Sequence, residues 1–141
     1  MSQHEIVTAL LWLQATLSGD SALVSYAPGG VHADDVPDGT VTPYITYGSQ
    51  SGGVDSLTMN AVRLLTNPLY QVVATGPTSQ MAAIASAASE LDDLLKRTAG
   101  SVVGGLVSAC YREQPVEKNE RINAVKWKSI GGLYRLTIQQ S

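Results

Sequence analysis

The residues best suited to metal or acid–base chemistry lie in one short stretch of the chain. His32, Asp34, Asp35 and Asp38 fall close together, and oxygen-rich loops of this kind can hold hard cations. The spacing does not match an EF-hand loop, which also needs a bidentate glutamate downstream. The same residue types build solvated turns, and a solvated, turn-forming loop is the interpretation that we favour.

Other chemistry-bearing residues lack the neighbours that catalysis needs. Cys110 is the single cysteine and lies in a strand-like pattern, where a buried small hydrophobe is the common outcome. With two histidines, His4 and His32, no three-histidine zinc site can be built. No nucleophile elbow, phosphate loop or dinucleotide-binding motif is present. We therefore predict no catalytic residue, no metal and no cofactor, and keep a metal-dependent or hydrolytic enzyme on the His32 stretch as an alternative.

A second alternative is a single-stranded nucleic-acid-binding module in the C-terminal half. Basic and aromatic side chains there could bind by charge and stacking, but the isoelectric point of about 5.2 is low for a dedicated binder. We favour a pair of strands whose outer face carries the basic side chains. The residues in question are Tyr111, Arg112, Arg121, Lys126, Trp127, Lys128, Tyr134 and Arg135.

Charge is divided unevenly along the chain. Residues 1–95 hold nine acids and one base, a net charge of −8, whereas residues 96–141 hold eight bases and three acids, a net charge of +5. Such a split can give an acidic and a basic face that meet between subunits, head to tail. It can also vanish when the two halves fold together, and both interpretations stay open.

The first helix is predicted from Ser2 to Gly19. Ser2 and Glu5 fit a capping box, and an apolar stripe follows at helical spacing. Gly19 is a plausible end. The stripe consists of Ile6, Leu10, Leu13 and Leu17, widened by Val7, Leu11 and Trp12.

The second predicted helix begins after a cap at Thr78 or Ser79 and stops at Gly100. Two acid–base pairs have the favourable i,i+4 order, namely Asp92 with Lys96 and Asp93 with Arg97. The apolar stripe consists of Met81, Ile84, Ala88, Leu91 and Leu95.

Strands are predicted at 44–47, about 69–75, 102–113 and 132–140 from their β-branched, aromatic or alternating residues. The segment 59–66 is either a hairpin partner or a short extension, because Asn67-Pro68 interrupts it. Turn-forming residues predict a long loop at about 19–43. A second polar connection, at about 114–131, is too long for a tight turn and could extend as a flexible arm or hairpin.

The predicted fold class is α+β: a small, mostly antiparallel sheet of about four strands packed against two helices. The 141 residues fit one domain, 1–141, which can bury a core without a disulfide or metal. No apolar run reaches the roughly 20 residues that span a bilayer, and the first residues lack a basic signal-peptide region. We expect a chain made in a host cytoplasm and without membrane contact.

Two segments resemble the siphophage tail-completion, or tail-terminator, proteins. One runs from Tyr111-Arg112-Glu113-Gln114-Pro115-Val116 through a polar stretch to Trp127-Lys128-Ser129-Ile130-Gly131-Gly132-Leu133-Tyr134-Arg135-Leu136-Thr137-Ile138. The other is the first helix, followed by a Gly/Pro/Asp loop and Pro43-Tyr44-Ile45-Thr46-Tyr47. Asn67-Pro68 and the lack of phenylalanine depart from that family's usual pattern.

The resemblance implies a structural, non-catalytic virion subunit at the head-proximal end of a long phage tail. Such subunits form a ring, typically a hexamer, that terminates the tail tube and joins it to the head connector. The implied partners are further copies of the chain, the tail tube protein and the head-side connector protein, with DNA passing through the lumen without sequence-specific binding. A head–tail connector, or neck, subunit is the nearest alternative.

A ring of this kind would close by heterologous contacts, and the charge split suggests which residues form them. We expect acidic groups of one subunit to face basic groups of the next, with buried aromatic residues supplying most of the association. The predicted interface residues are Asp34, Asp35, Asp38, Arg112, Arg121, Lys126, Trp127 and Lys128.

Overall fold

The computed structural model describes residues 4–51, 55–57, 63–97, 100–102 and 105–140. The fold is α+β, as predicted, but it has more elements than expected. In chain order these are α1 (Glu5–Ser18), α2 (Ser21–Tyr26), β1 (Val31–Ala33), β2 (Tyr44–Ser51), β3 (Asp55–Leu57), β4 (Arg63–Thr66), β5 (Leu69–Pro77), a 3₁₀ turn (Thr78–Gln80), α3 (Met81–Arg97), β6 (Gly100–Val102), β7 (Gly105–Ile122) and β8 (Val125–Gln140).

The strands form one sheet, so the prediction of about four strands was too low. Six of them follow the order β1-β2-β5-β8-β4-β3, while β7 pairs with β8 and β6 pairs with β7. The β1–β2 pair is parallel, and the other pairs are antiparallel. Three of the eight strands have three residues each, too few for an alternating pattern to show in the sequence.

The segment 114–131, expected as a polar connection, is part of a long hairpin. β7 and β8 pair from Gly105↔Gln140 to Ile122↔Val125. Asn123 and Ala124 form the turn with φ of 50° and 66°, and positive φ at both positions is the signature of a type I′ hairpin turn. The sequence hides this strand because its residues are polar on both faces, so hydrophobic alternation is absent.

The predicted loop at 19–43 contains two short elements and is irregular elsewhere. The Asp20 side chain accepts a hydrogen bond from the Leu23 N–H at 3.3 Å and caps α2, a typical N-cap role. β1 then pairs with β2 in the register Val31↔Ile45 to Ala33↔Tyr47. Residues 34–43 form the remaining loop, which returns the chain to the start of β2.

α1 begins with a different cap, and it buries Trp12, Leu13 and Leu17 of the predicted stripe but not all of its members. The His4 Nδ1 atom accepts a hydrogen bond from the Ile6 N–H at 3.1 Å. Ser2, half of the predicted capping box, lies outside the described residues. Val7 and Leu11 are 44 % exposed, because the helix is rotated to bury a partly overlapping stripe. That stripe consists of Glu5, Thr8, Ala9, Trp12, Leu13 and Leu17.

α3 buries the predicted stripe and corrects one predicted ion pair. The 3₁₀ turn Thr78–Gln80 precedes it, so α3 begins at Met81, after the residues expected to cap it. Lys96 pairs with Asp93 at 3.1 Å, not with Asp92, whose carboxylate instead contacts the sheet. The fully buried α3 side chains are Ile84, Ala87, Leu91 and Leu95, and Ala88 is 8 % exposed.

Asn67-Pro68 marks the join between β4 and β5, both of which lie along β8. Although Pro68 has no N–H, its carbonyl accepts a hydrogen bond from the Leu136 N–H at 3.1 Å. The Thr137 hydroxyl donates to Asn67 Oδ1 at 3.0 Å. Of the two alternatives predicted for 59–66, the hairpin partner holds for residues 63–66, which pair with β3 and with β8. Residues 58–62 lie outside the described residues.

The helices cover one face of the sheet and enclose the core there. Fully buried core residues come from all three helices and from β2, β5, β7 and β8. Within the described residues, no helix is long and apolar enough to cross a membrane. The opposite face of the sheet and the end of the β7–β8 hairpin stay accessible, whereas Arg112, one of the predicted interface residues, lies on the helix side beside Asp92.

Candidate functional site

The end of the β7–β8 hairpin projects beyond the rest of the sheet. β5 stops pairing with β8 at Pro77↔Trp127, so residues 121–126, here named the arm tip, have no third strand beside them. Ile122 and Val125 are cross-strand partners and are 46 % and 47 % exposed. An exposed apolar pair at a hairpin end gains little within the subunit.

The arm tip also carries two like charges opposite one another. Arg121 and Lys126 are cross-strand partners, an arrangement that is destabilising in a sheet. Among the described residues, neither side chain forms an ion pair. Because successive pairs of a ladder point to opposite faces, the tip presents two positive charges on one face and the apolar pair on the other, and an acidic surface would relieve the repulsion.

The other two predicted basic interface residues are used inside the subunit. Arg112 Nη1 lies 3.5 Å from Asp92 Oδ1, and Lys128 Nζ lies 3.0 Å from Glu117 Oε1. Lys128 is 19 % exposed. These contacts hold the hairpin to α3 and to itself, so we set Arg112 and Lys128 apart from Arg121 and Lys126.

Trp127 joins the hairpin to β2 across the outer face of the sheet. Its ring lies 6.5 Å from the Tyr44 ring, and Tyr44 in turn meets His32 edge to face at 6.4 Å. Partial burial, and then the Glu120 carboxylate, raises the pKa of Tyr44. Trp127 thus packs within its own subunit. Part of the ring surface that we expected a neighbouring subunit to bury is already buried there.

The acidic loop, residues 34–43, is exposed and held by backbone contacts. Asp34 has φ of 58°, and its N–H donates to the Tyr47 carbonyl at 2.9 Å. Its carboxylate lies over Gly48, where a Cβ would come within 2.5 Å of Asp34 Oδ1. Asp35 and Asp38 are exposed, and Val41 is 62 % exposed.

The contacts of the histidines and the cysteine argue against the predicted chemical alternatives. His32 Nε2 lies 2.8 Å from the Gly29 carbonyl, which can only accept, so this nitrogen carries the proton and holds the ring against the loop, and Nδ1 is the acceptor. Burial raises the pKa of the Cys110 thiol to about 12, which leaves it protonated and weakly nucleophilic at neutral pH. Within the described residues, no group of three or more His, Cys, Asp or Glu could hold a metal ion.

The basic and aromatic C-terminal residues do not form one continuous patch. Arg135 makes two hydrogen bonds to the Glu113 carboxylate, at 2.9 and 3.2 Å. Tyr134 is fully buried, and its hydroxyl donates to Asp92 Oδ1 at 2.9 Å; burial and this bond raise its pKa. Acidic side chains of the same subunit neutralise several of these basic side chains. The buried ring of Tyr134 is inaccessible to the nucleobases of a nucleic acid.

The acidic loop and the hairpin border the same depression on the outer face of the sheet. Asp34 and Asp35 lie on one side of this depression and Lys118 and Glu120 on the other, and its volume is about 370 Å³. Asp34 and Asp35 therefore lie on the same face of the subunit as Lys118 and Glu120 of the hairpin. Their charges partly screen each other before any second copy arrives.

A further surface, between α2 and α3, was not predicted from the sequence. It is a depression of about 320 Å³, and Tyr26 at its rim is 41 % exposed. The signal was present in α3, whose outward positions are small or acidic, but only the tertiary structure places Tyr26 beside them. The residues that line this α2–α3 surface are Tyr26, Ala85, Ser86, Ser89, Glu90 and Asp93.

Comparisons with known proteins bear on the fold. The sequence matches no protein-family model and no curated protein. Among solved structures, the chain is similar to a chain in the virion of a native gene transfer agent (GTA) particle, with a TM-score of 0.65 and 15 % sequence identity. The match covers 98 % of this chain and 99 % of the other, so the two share one fold over essentially their whole length.

Proposed function

We propose that this protein is a structural virion subunit that forms a ring at the head-proximal end of a long phage tail. The ring would terminate the tail tube and join it to the head connector. The observation that carries this proposal is the end-to-end likeness to a chain of a gene transfer agent virion. The tail-terminator-like segments at 43–47 and 111–138 support the same assignment.

A non-catalytic role fits the geometry of the reactive residues. The Cys110 thiol is buried with a pKa raised to about 12, and the imidazole of His32 binds the Gly29 carbonyl. The groups that could have carried chemistry therefore serve packing and loop structure. We propose that the protein acts by assembly and needs no cofactor.

Ring closure by heterologous contacts suits a subunit whose two sheet edges differ. The β1 edge adjoins the loop with Asp34, Asp35 and Asp38, and the β7 edge leads to Arg121 and Lys126. Of these residues, Arg121 and Lys126 remain our candidate interface, with six copies as the expected ring. The expected neighbours are the tail tube protein, the head-side connector protein and DNA that passes through the lumen without sequence-specific binding.

The test is the assembly state of the purified protein, followed by its position in the particle. Native mass spectrometry and electron microscopy should reveal closed rings, and labelled protein should mark the junction of tail and head. Protein that neither assembles nor enters particles would contradict the proposal. Label on the connector side of the junction would instead favour a neck subunit.

A measurement of binding to single-stranded DNA distinguishes the proposed structural subunit from the remaining alternative, a nucleic-acid-binding module. A nucleic-acid-binding module should bind at low salt and lose affinity steeply as salt rises. We expect no such binding, because Arg112, Lys128 and Arg135 are paired with acids of the same subunit.

A further inference from the structure

The exposed pair Ile122–Val125 on the arm tip offers apolar surface that the described residues of its own subunit leave about half uncovered. Both side chains are nearly half exposed, and the like-charged pair Arg121–Lys126 flanks them in the ladder. A partner that fits this end combines apolar surface with negative charge. Such a partner relieves the repulsion and covers the apolar pair at the same time.

The α2–α3 surface has this combination. The half-exposed ring of Tyr26 offers apolar area, and Glu90 and Asp93 bring two negative charges to the same depression. Glu90 and Asp93 both interact within their own subunit, Asp93 with Lys96 at 3.1 Å, and the Lys96 side chain is exposed. The small residues between these groups leave room for a hairpin end.

One subunit cannot bring its own arm tip to this surface. Arg121 and Lys126 line a depression with Thr78, which immediately precedes α3. Glu90 and Asp93 lie further along α3, nine and twelve residues beyond Met81. At about 1.5 Å per residue, this is roughly 14 to 18 Å along the helix. The contact therefore needs a second copy.

We infer that the arm tip of one copy docks on the α2–α3 surface of the next copy. Ile122 and Val125 pack against Tyr26, while Arg121 and Lys126 face Glu90 and Asp93. The two surfaces are different, so each copy gives one contact and receives another, as heterologous ring closure requires. This inference rests on the proposed ring function and names its seam.

The acidic loop is a less suitable docking site for the arm tip than the α2–α3 surface. Asp34 and Asp35 already border the depression that contains Lys118 of their own hairpin. The loop and the hairpin lie on the same face of the sheet, whereas a seam between successive subunits joins different sides. The inference thus assigns the acidic side of the seam to α3, and the loop becomes the control.

The test uses charge reversal in the full-length protein. An arm variant, Arg121→Glu with Lys126→Glu, and a helix variant, Glu90→Lys with Asp93→Lys, should each weaken self-association about tenfold or more, as native mass spectrometry and light scattering would measure. Mixing the two variants should restore assembly with alternating subunits. The matched control, Asp34→Lys with Asp35→Lys, should assemble like the wild type.

Crosslinking detects the contact even if assembly is weak. Val125→Cys combined with Tyr26→Cys should give disulfide-linked oligomers on oxidation, and Val125→Cys with Val41→Cys should not. Cys110 is buried and should contribute little background. Linkage through position 41 but not 26, or no linkage by either pair, would overturn the inference.

The outcomes of these experiments test the inferred seam and the proposed function independently. Rings that form in both charge-reversed variants as readily as in the wild type would overturn this seam while leaving the virion role intact. Absence of the wild-type protein from particles, together with no linkage in the Val125→Cys/Tyr26→Cys variant, would overturn both. Melting temperatures of the variant monomers should stay within about 3 °C of the wild type, because the substituted side chains are at the surface.

Discussion

The two ends of the β7–β8 hairpin share one ladder of hydrogen bonds but differ in what stabilises them. At its base, Val107, Leu136 and Ile138 are buried against the helices. At its tip, Ile122 and Val125 are nearly half exposed and have only each other across the ladder. Because an isolated two-stranded ribbon is marginally stable in water, the tip depends on the base for its order.

This difference separates folding from assembly within one element. Substitutions at the base should change the free energy of unfolding and leave the surface for partners unaltered. Substitutions at the tip should leave the free energy of unfolding nearly unchanged and affect association. The predictions below test this division, beginning with the largest expected effect.

Leu136→Ala should destabilise the protein most. Leu136 is fully buried in the core, and truncation of such a side chain leaves a cavity that costs about 2–5 kcal/mol. Chemical denaturation would measure the loss. Leu133→Ala, on the partly exposed face of the same strand, is the control and should cost clearly less; equal costs would mean that the base is not held by its buried face.

Alkaline pH should destabilise the base through Cys110. Burial raises its pKa from 9.0 to about 12, so the folded state keeps a proton that the unfolded chain loses. Stability is fully present below about pH 9 and declines as the pH rises toward 12, by up to about 1.4 kcal/mol per pH unit.

Denaturation at several pH values compares the wild type with Cys110→Ala, whose free energy of unfolding should fall less steeply between about pH 9 and pH 10. Above that range, Tyr134 adds a further decline with the same sign, because its pKa is also raised from 10.0. Equal slopes in both proteins near pH 9.5 would contradict the assignment to Cys110.

Gly131→Ala should destabilise the middle of the hairpin by about 1–3 kcal/mol, as overpacking does. A Cβ at Gly131 would lie 2.0 Å from the Val72 carbonyl oxygen, a backbone atom that cannot move independently of the sheet. Gly132→Ala is the matched comparison, because a Cβ there first meets the flexible side chain of Arg112. Thermal denaturation should show the larger loss for Gly131→Ala, and the reverse order would refute this account.

The smallest effect is expected at the tip. Ile122→Ala with Val125→Ala should change the free energy of unfolding by no more than about 0.5 kcal/mol, because both side chains are largely in solvent in the single subunit. The same variant should associate more weakly. A large loss of stability in the monomer would show that the tip folds against its own subunit, and the division between base and tip would fail.

The sequence by itself determined the elements whose patterns are local. α3 could be predicted because its apolar residues recur at the helical period, and Ile84, Leu91 and Leu95 are buried as expected. The C-terminal part of β8 followed from alternation, and the strand starting at Tyr44 followed from its β-branched and aromatic residues. The charge split also follows from composition alone, and so does the low number of residues suited to chemistry.

Tertiary structure decided what depends on partners distant in sequence. The ladder through 114–122 exists because β8 offers matching backbone groups, although the side chains of this segment give no strand pattern. The Asp92 carboxylate accepts a hydrogen bond from Tyr134 and pairs with Arg112, and not with Lys96 one helical turn away. Burial makes a hydrogen bond inside the fold worth more than a solvated ion pair. The arm tip and the α2–α3 surface arise for the same reason: exposure is a property of the packed subunit, and local sequence does not encode it.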